Sequence, residues 1–291
     1  MKNDLRNPLR IIDVTEFFQR CTFKPFIGKT VRAVKVHANM SKGFHEKLLK
    51  FATGIGMGGL GYLEVLEDKS YKGPIDKFIP DDMKAEFMEL AGLEVGDTIF
   101  FMADKEERAA FYAGQIRTEL GEKLDLIEKN AYRFCYVNDF PMFERDPETK
   151  KIGFTHNPFS MPQGGLEALN TMDPLDILAY QYDIVCNGIE LSSGAVRNHD
   201  MQIMVKAFEI AGYTEEDLKE KFGALYNAFQ FGAPPHAGMA PGIDRMIMLL
   251  RNEENIREII PFPMSGTAQD LMCGAPNAVS YTHLRAHETS A

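Results

Sequence analysis

Between Gly232 and Leu250 the chain reads GAPPHAGMAPGIDRMIMLL, with glycines and prolines leading to an Asp-Arg pair and then to an apolar run. Gly238, Ala240 and Gly242 alternate along one stretch, so every second side chain is absent or minimal. Another molecule can lie flat against such a strand face. Asp244 and Arg245 follow where the strand pattern gives way to a helix starting at Met246. A guanidinium fixed at that junction has the fork geometry that grips phosphate oxygens. The residues alone leave two readings open: a nucleotide site on an antiparallel sheet, or a tight strand-helix corner in which Asp244 and Arg245 pair with each other.

The elements that would hold this stretch can be read upstream of it. Thr214 opens a helix lined by Leu218, Phe222, Leu225 and Phe229, and before it Asp200 caps a helix with Met201, Met204, Val205 and Phe208 on one face. YDIVCNGIEL reads as a strand. YRFCYVNDFPMFE and KIGFTHNPF flank RDPETK, whose Asp-Pro signals a turn, and this predicts an antiparallel hairpin.

Earlier, short helical and strand patterns alternate as in a compact α+β unit. Phe44, Leu48, Leu49 and Ala52 recur at helical spacing before GIGMGGLG and the strand YLEVL. Asp81 and Asp82 open a helix that closes at Gly92, DTIFFMAD is a strand, and Asp104 is placed to cap the helix that follows. No GK[ST] follows the glycine cluster, and the glycines come after a helix. Turn and packing glycines are expected there, not a phosphate loop.

Composition narrows the class. At 291 residues and 45% hydrophobic content the chain can bury at least one sizeable core and is long enough for two domains. No apolar run approaches the roughly 18 residues of a membrane helix, and Met1 to Phe17 lacks the order of a signal peptide, so a cytoplasmic protein is expected. Cys21, Cys135, Cys186 and Cys273 show no CxxC spacing, which suggests neither zinc nor a disulfide framework. A net charge of -10 argues against nonspecific coating of nucleic acid but leaves room for a local basic face.

The opening stretch resembles motif 3 of the class II aminoacyl-tRNA synthetases, where a glycine-spaced strand ends in an arginine that binds ATP phosphates. FCYVNDFPMFE, THNPFSMP, YDIVCNGIELSSGAVRNHD and NIREIIPFPMSGTAQDLMCGAP are similar to consecutive segments of the bacterial aspartate-tRNA ligase family. DLRNPL, and GPIDKF with GDTIFFMAD, resemble the approach to that family's inserted GAD domain and the domain itself.

The resemblance implies an α+β fold: a partial antiparallel class II catalytic domain with an α+β GAD insertion. The expected divisions are a catalytic remnant over 1–28, a GAD-like domain over 29–130, the catalytic part with motif 3 over 131–280, and a non-native tail over 281–291. It also implies ATP-dependent activation of L-aspartate with Mg2+, and transfer to tRNA. Gly242, Ile243, Asp244 and Arg245 match the ATP-contacting tetrapeptide, with Arg245 the catalytic arginine. Glu190 matches an acid that binds ATP or its Mg2+. His156 and Arg197 match the aspartate-binding pair.

Arg197 suits that role, because its fork pairs with a carboxylate whereas the amide of asparagine would leave its charge partly unpaired. Glu190 and Arg197 are seven apart and would face opposite sides of a regular strand, so a bulge or break is expected over Ser192, Ser193 and Gly194. Asn157 stands where many relatives have a second histidine, which leaves open whether the tRNA partner is aspartate tRNA alone or asparagine tRNA as well. Motif 1, motif 2 and the OB domain have no counterpart. The expectation is a C-terminal fragment, inactive by itself, of an enzyme that is a homodimer when complete. Two other readings stay open: a noncatalytic tRNA-associated GAD-domain protein, and a synthetase-like paralogue acting on a free amino acid.

Overall fold

The computed structural model describes residues 3–277 and resolves into two compact units, Met1–Cys135 with Cys186–Ile189, and Tyr136–Val185 with Glu190–Ala291. The expected tail over 281–291 lies outside the described residues.

The first unit runs β1 (Ile11–Asp13), α1 (Thr15–Gln19), β2 (Thr30–His37), α2 (Lys42–Gly54), β3 (Gly61–Val65), β4 (Tyr71–Lys72), α3 (Lys84–Leu90), β5 (Asp97–Asp104) and α4 (Glu106–Lys123). Its five strands form an antiparallel sheet in the order β1-β2-β5-β3-β4. The central β5 explains its own sequence. Ile99 and Phe101 point into a core with Phe17, Phe18, Leu63 and Phe87, while Phe100 and Met102 point into a second core with Leu48, Ala52, Ile116 and Leu120. A strand covered on both faces must be apolar at every position.

Ser41 caps α2 by accepting the Phe44 N–H. Asp81 and Asp82 begin a 3-10 turn, Asp81–Met83, that runs into α3. Of the glycines after α2, Gly56 turns the chain at φ +94, and a Cβ on Gly61 would lie 2.8 Å from the Ile75 side chain. Asp104 does not cap α4 as expected. Lys105 holds the N-cap position with no side-chain bond, and the Asp104 carboxylate accepts the adjacent Lys105 N–H and pairs with Arg108 one turn on, because it sits one residue too early to reach the amides of the first turn.

The catalytic remnant expected over 1–28 falls, in its described residues, within this unit. Phe17 and Phe18 lie in its core, β1 pairs with β2, and Arg117 on α4 donates to the carbonyls of Asp4, Asn7 and Leu9.

The second unit comprises β6 (Phe134–Pro141), β7 (Phe143–Arg145), β8 (Ile152–Phe154), α5 (Gly165–Thr171), β9 (Leu178–Cys186), β10 (Ile189–Val196), α6 (Met201–Ile210), α7 (Glu215–Phe229), β11 (Ala237–Pro241) and α8 (Ile243–Arg251). Four strands form a sheet ordered β11-β10-β9-β6, and β7 pairs with β8 across the RDPETK turn. That hairpin is shorter than expected. The first run divides at Met142, whose N–H bonds to the Ile177 carbonyl, and leaves Phe134–Pro141 to the larger sheet.

YDIVCNGIEL is a hairpin and not one strand: Asn187 and Gly188 have φ +52 and +80, the left-handed pair of a type I′ turn. The two helix starts are as expected. Asp200 accepts from the Gln202 and Ile203 amides, and Thr214 forms a reciprocal capping box with Asp217. Met204, Phe208 and Leu218 then close a core with Phe154, Phe159 and Phe222. Among the described residues no helix is long and apolar enough to cross a membrane, and all four cysteines are free.

Candidate functional site

β11 is an edge strand exposed along its length, and it hands over to α8 through Gly242 at the N-cap. A Cβ on Gly238 would meet nothing within 4 Å, so the small residue there leaves open space above the sheet. Gly242 serves differently. Its N–H donates to the Leu191 carbonyl at 2.7 Å, and a Cβ would come within 3.4 Å of that oxygen. This clamps the start of α8 to β10 and fixes where Arg245 emerges.

Arg245 does not pair with Asp244, which forms no ion pair among the described residues. Its partner is Glu190: Nη1 donates to the Glu190 carbonyl at 2.7 Å and to its carboxylate at 3.1 Å. Of the two residue-level readings, the corner closed by an Asp244–Arg245 pair is set aside. The fold joins two candidate residues that lie 55 positions apart.

The break expected over Ser192–Gly194 is absent. β10 and β11 pair residue for residue from Ser192↔Pro241 to Val196↔Ala237. A regular strand of about 3.3 Å per residue puts Glu190 and Arg197 roughly 23 Å apart along it. Glu190 lies near the start of β10 and Arg197 just beyond its end, so the two do not form one cluster. Gly194 keeps the strand regular, since a Cβ there would lie 2.4 Å from the Tyr182 ring and 2.5 Å from the Gly238 carbonyl oxygen.

At the far end Arg197 is half-buried and its backbone is held on both sides. Its N–H donates to the His236 carbonyl at 2.9 Å, it forms an isolated bridge with Ser160, and the neighbouring Asn198 N–H bonds to the Phe159 carbonyl at 2.8 Å. Among the described residues no carboxylate lies within ion-pair reach of its guanidinium. His156 sits on the loop that carries Phe159 and Ser160. Its ring is exposed and packs edge-on against Phe140 at 5.2 Å. Asn157 shapes the same loop, since its side chain accepts the Phe159 N–H and its carbonyl accepts from Gln181 Nε2.

Sequence reasoning missed the cleft beside this end, about 220 Å³, lined by Asn138, Asp139, Gln163, Gln181 and Tyr182 among others. Asp139 adopts φ +57 and accepts from Gln163 Nε2 at 2.7 Å, and Tyr182 donates to the Gly238 carbonyl at 3.0 Å. A signal was available in β9, where Gln181 shares the buried phase with Ala179 and a polar residue breaks the pattern. No group of three or more His, Cys, Asp or Glu among the described residues could hold a metal ion. A lone Glu190 suits a magnesium ion that arrives with phosphates, because that ion is commonly held by one or two carboxylates plus the substrate's oxygens.

Residues 1–266 match the family model of class II tRNA synthetases (D, K and N). The chain belongs to this family. Among curated relatives, this synthetase chain is 53% identical over 291 residues to the aspartate–tRNA(Asp/Asn) ligase of Ehrlichia canis (strain Jake), covering 98% of this chain and 49% of that protein. It is 50% identical over 286 residues to the aspartate–tRNA ligase of Streptomyces avermitilis, with the same two coverages, 98% and 49%. The chain spans about half the length of the curated relatives it matches. Among solved structures, an aspartyl tRNA synthetase from Entamoeba histolytica aligns over 83% of this synthetase chain and 44% of its own, with a TM-score of 0.37 and 17% identity.

Proposed function

We propose that this chain is part of an aspartate-tRNA ligase, which activates L-aspartate with ATP and Mg2+ as aspartyl-adenylate and transfers the aspartyl group to tRNA. The observation that carries the reading is Arg197. Its backbone is fixed from two sides, yet its guanidinium has no carboxylate partner among the described residues. A half-buried arginine held in place without a counter-ion is poised for a ligand carboxylate, which its fork binds bidentately. An ordinary salt bridge is the alternative, and it has no partner among the described residues.

In the first step a carboxylate oxygen of aspartate attacks the α-phosphorus of ATP and pyrophosphate leaves. In the second the tRNA 3′-terminal hydroxyl displaces AMP. Neither step needs a side-chain nucleophile; the protein positions reactants and stabilises developing charge. Arg197, with His156 on the adjoining loop, binds the amino acid. Arg245, on a helix start fixed by Gly242, binds phosphate, with Ile243 and Asp244 completing the turn and Glu190 beside it. The open face over Gly238 takes the nucleotide between the two ends of β10. Mg2+ supplies charge neutralisation of the phosphates when bound.

The same reading makes residues 29–130 the GAD-like insertion. It also goes with a cytoplasmic, homodimeric enzyme acting on aspartate tRNA, and on asparagine tRNA if Asn157 marks the broader specificity.

Arg197→Gln, made in the full-length protein, tests it. Aspartate-dependent pyrophosphate exchange is expected to fall by about 100-fold or more, the usual loss for one preorganised contact, while ATP affinity changes little. Exchange that keeps its aspartate dependence would remove Arg197 from the site.

A further inference from the structure

Asn187 is the one asparagine in the sequence that glycine follows. Glycine has no Cβ to shield its amide nitrogen, so that nitrogen can attack the side-chain amide before it. In the folded chain the attack is blocked twice. Asn187 and Gly188 are the left-handed pair of the type I′ turn, with φ +52 and +80. A left-handed residue has ψ of about +47°, which puts the Gly188 nitrogen nearly anti to Asn187 Cβ across the Cα–C bond, whereas ring closure needs the two eclipsed. The side chain is also clasped. Its Oδ1 accepts the Arg133 N–H at 3.0 Å, its Nδ2 donates to the Ala131 carbonyl at 2.9 Å, and the Asn187 N–H donates to the Arg133 carbonyl at 3.2 Å. The Arg133 guanidinium is tied to Glu128 by two hydrogen bonds of 2.7 Å. All of these residues group with the first unit.

We propose that Asn187 is a covalent modification site: a deamidation site that the folded clasp holds shut and that opening of the turn releases. Once the turn opens, the Gly188 nitrogen gives its proton to a base in solution and bonds to Asn187 Cγ. The Cγ–Nδ2 bond breaks, and ammonia leaves with a proton returned from that base. Water then opens the cyclic imide at either carbonyl and leaves an aspartyl or an isoaspartyl residue. Net, water is consumed and ammonia released. Neither product has the N–H donor that the Ala131 carbonyl takes from Nδ2, so the clasp cannot close as before and the opening is recorded irreversibly.

The test is peptide mapping by mass spectrometry of the 291-residue chain, held native and unfolded in urea at one mildly alkaline pH. Asn187 is expected to convert in urea and at least about tenfold more slowly in the native chain, because two side-chain hydrogen bonds and the left-handed backbone must be given up first. No conversion at Asn187 in urea overturns the site, and equal rates overturn the gate. Arg133→Pro deletes the N–H that Oδ1 accepts and should speed native conversion about threefold or more. Arg133→Gln keeps that N–H, loses only the Glu128 pair, and should stay within about twofold of the parent. Equal acceleration by both, or none by Arg133→Pro, removes the clasp from the gate. Should Arg133→Pro fail to fold, graded urea below the unfolding transition makes the same comparison. Conversion must then rise in step with hydrogen exchange of the Asn187 amide, and a rate indifferent to that exchange overturns the gate. Asn187→Asp carries the aspartyl product, and exchange of peptides spanning 131–133 and 186–189 should rise about fivefold for the lost hydrogen bond. Unchanged exchange in that variant overturns the irreversible step.

Discussion

Gly194→Ala separates a strand kept small for its neighbours from one kept small for a ligand. An added Cβ would stand 2.4 and 2.7 Å from two carbons of the Tyr182 ring and 2.5 Å from the Gly238 carbonyl oxygen, all closer than nonbonded atoms tolerate. The ring can move, at the expense of the hydrogen bond from Tyr182 to that same carbonyl. The carbonyl moves only with β11, which is paired in register through Gly194↔Met239. Overpacking typically costs about 1–3 kcal/mol and a lost hydrogen bond about 1 kcal/mol, so the expected destabilisation is about 2–4 kcal/mol.

Because the chain has two units, a single optical transition need not report on this sheet. Hydrogen exchange of peptides spanning 189–197 and 237–241 in the native chain reads it directly. In a Tyr182→Ala background the ring contacts vanish and the carbonyl contact stays. The added methyl should then cost about half as much, a coupling of at least about 1 kcal/mol. A Gly194→Ala effect below about 0.5 kcal/mol, the level of an ordinary surface change, would refute the packing argument. So would an equal cost with and without the ring.

Two predictions concern the first unit. Burial opposes ionisation of Glu64, but hydrogen bonds from His45 at 3.0 Å and Lys72 at 3.1 Å, with the Lys72 and His45 charges, outweigh it and hold its pKa below the ordinary 4.5. A depressed folded-state value means that the carboxylate's contribution is complete above pH 4.5 and is lost as pH falls through the lower value. Glu64→Gln should therefore lower the melting temperature at neutral pH and converge with the parent in acid; a gap that stays constant with pH would contradict this. Burial pushes the Tyr71 phenol up to about 12, against a smaller downward pull from Lys84, and the hydroxyl donates to the Lys84 carbonyl at 2.9 Å. Its contribution is complete below pH 10 and lost as pH rises towards 12, so a tyrosinate absorbance titration should lose its latest-ionising phenol in Tyr71→Phe. A Tyr71 that ionises near pH 10 in the folded chain would show the burial argument to be wrong.

What could be read along the chain was what depends on near neighbours. Ser41, Asp200 and Thr214 cap helices through amides two or three residues ahead, and β5 declares a doubly covered strand by an unbroken apolar run. Asp104 shows how narrow that reach is, since an offset of one residue removes the cap. The Asn187-Gly188 hairpin was legible in its turn residues and was passed over as a continuous strand.

The sequence by itself determined the residue types of the site: the small residues of β11, the Arg245 that follows them, and Arg197 as a fork in search of a carboxylate. Tertiary structure decided their partners. That Arg245 meets Glu190 rather than Asp244, that Arg117 holds Asp4 to Leu9, and that β10 stays regular because Gly194 admits Tyr182 and Gly238 all depend on groups 12 to 113 residues apart. Such contacts are absent from local patterns because each needs a closed loop and a packed sheet before its two ends can meet.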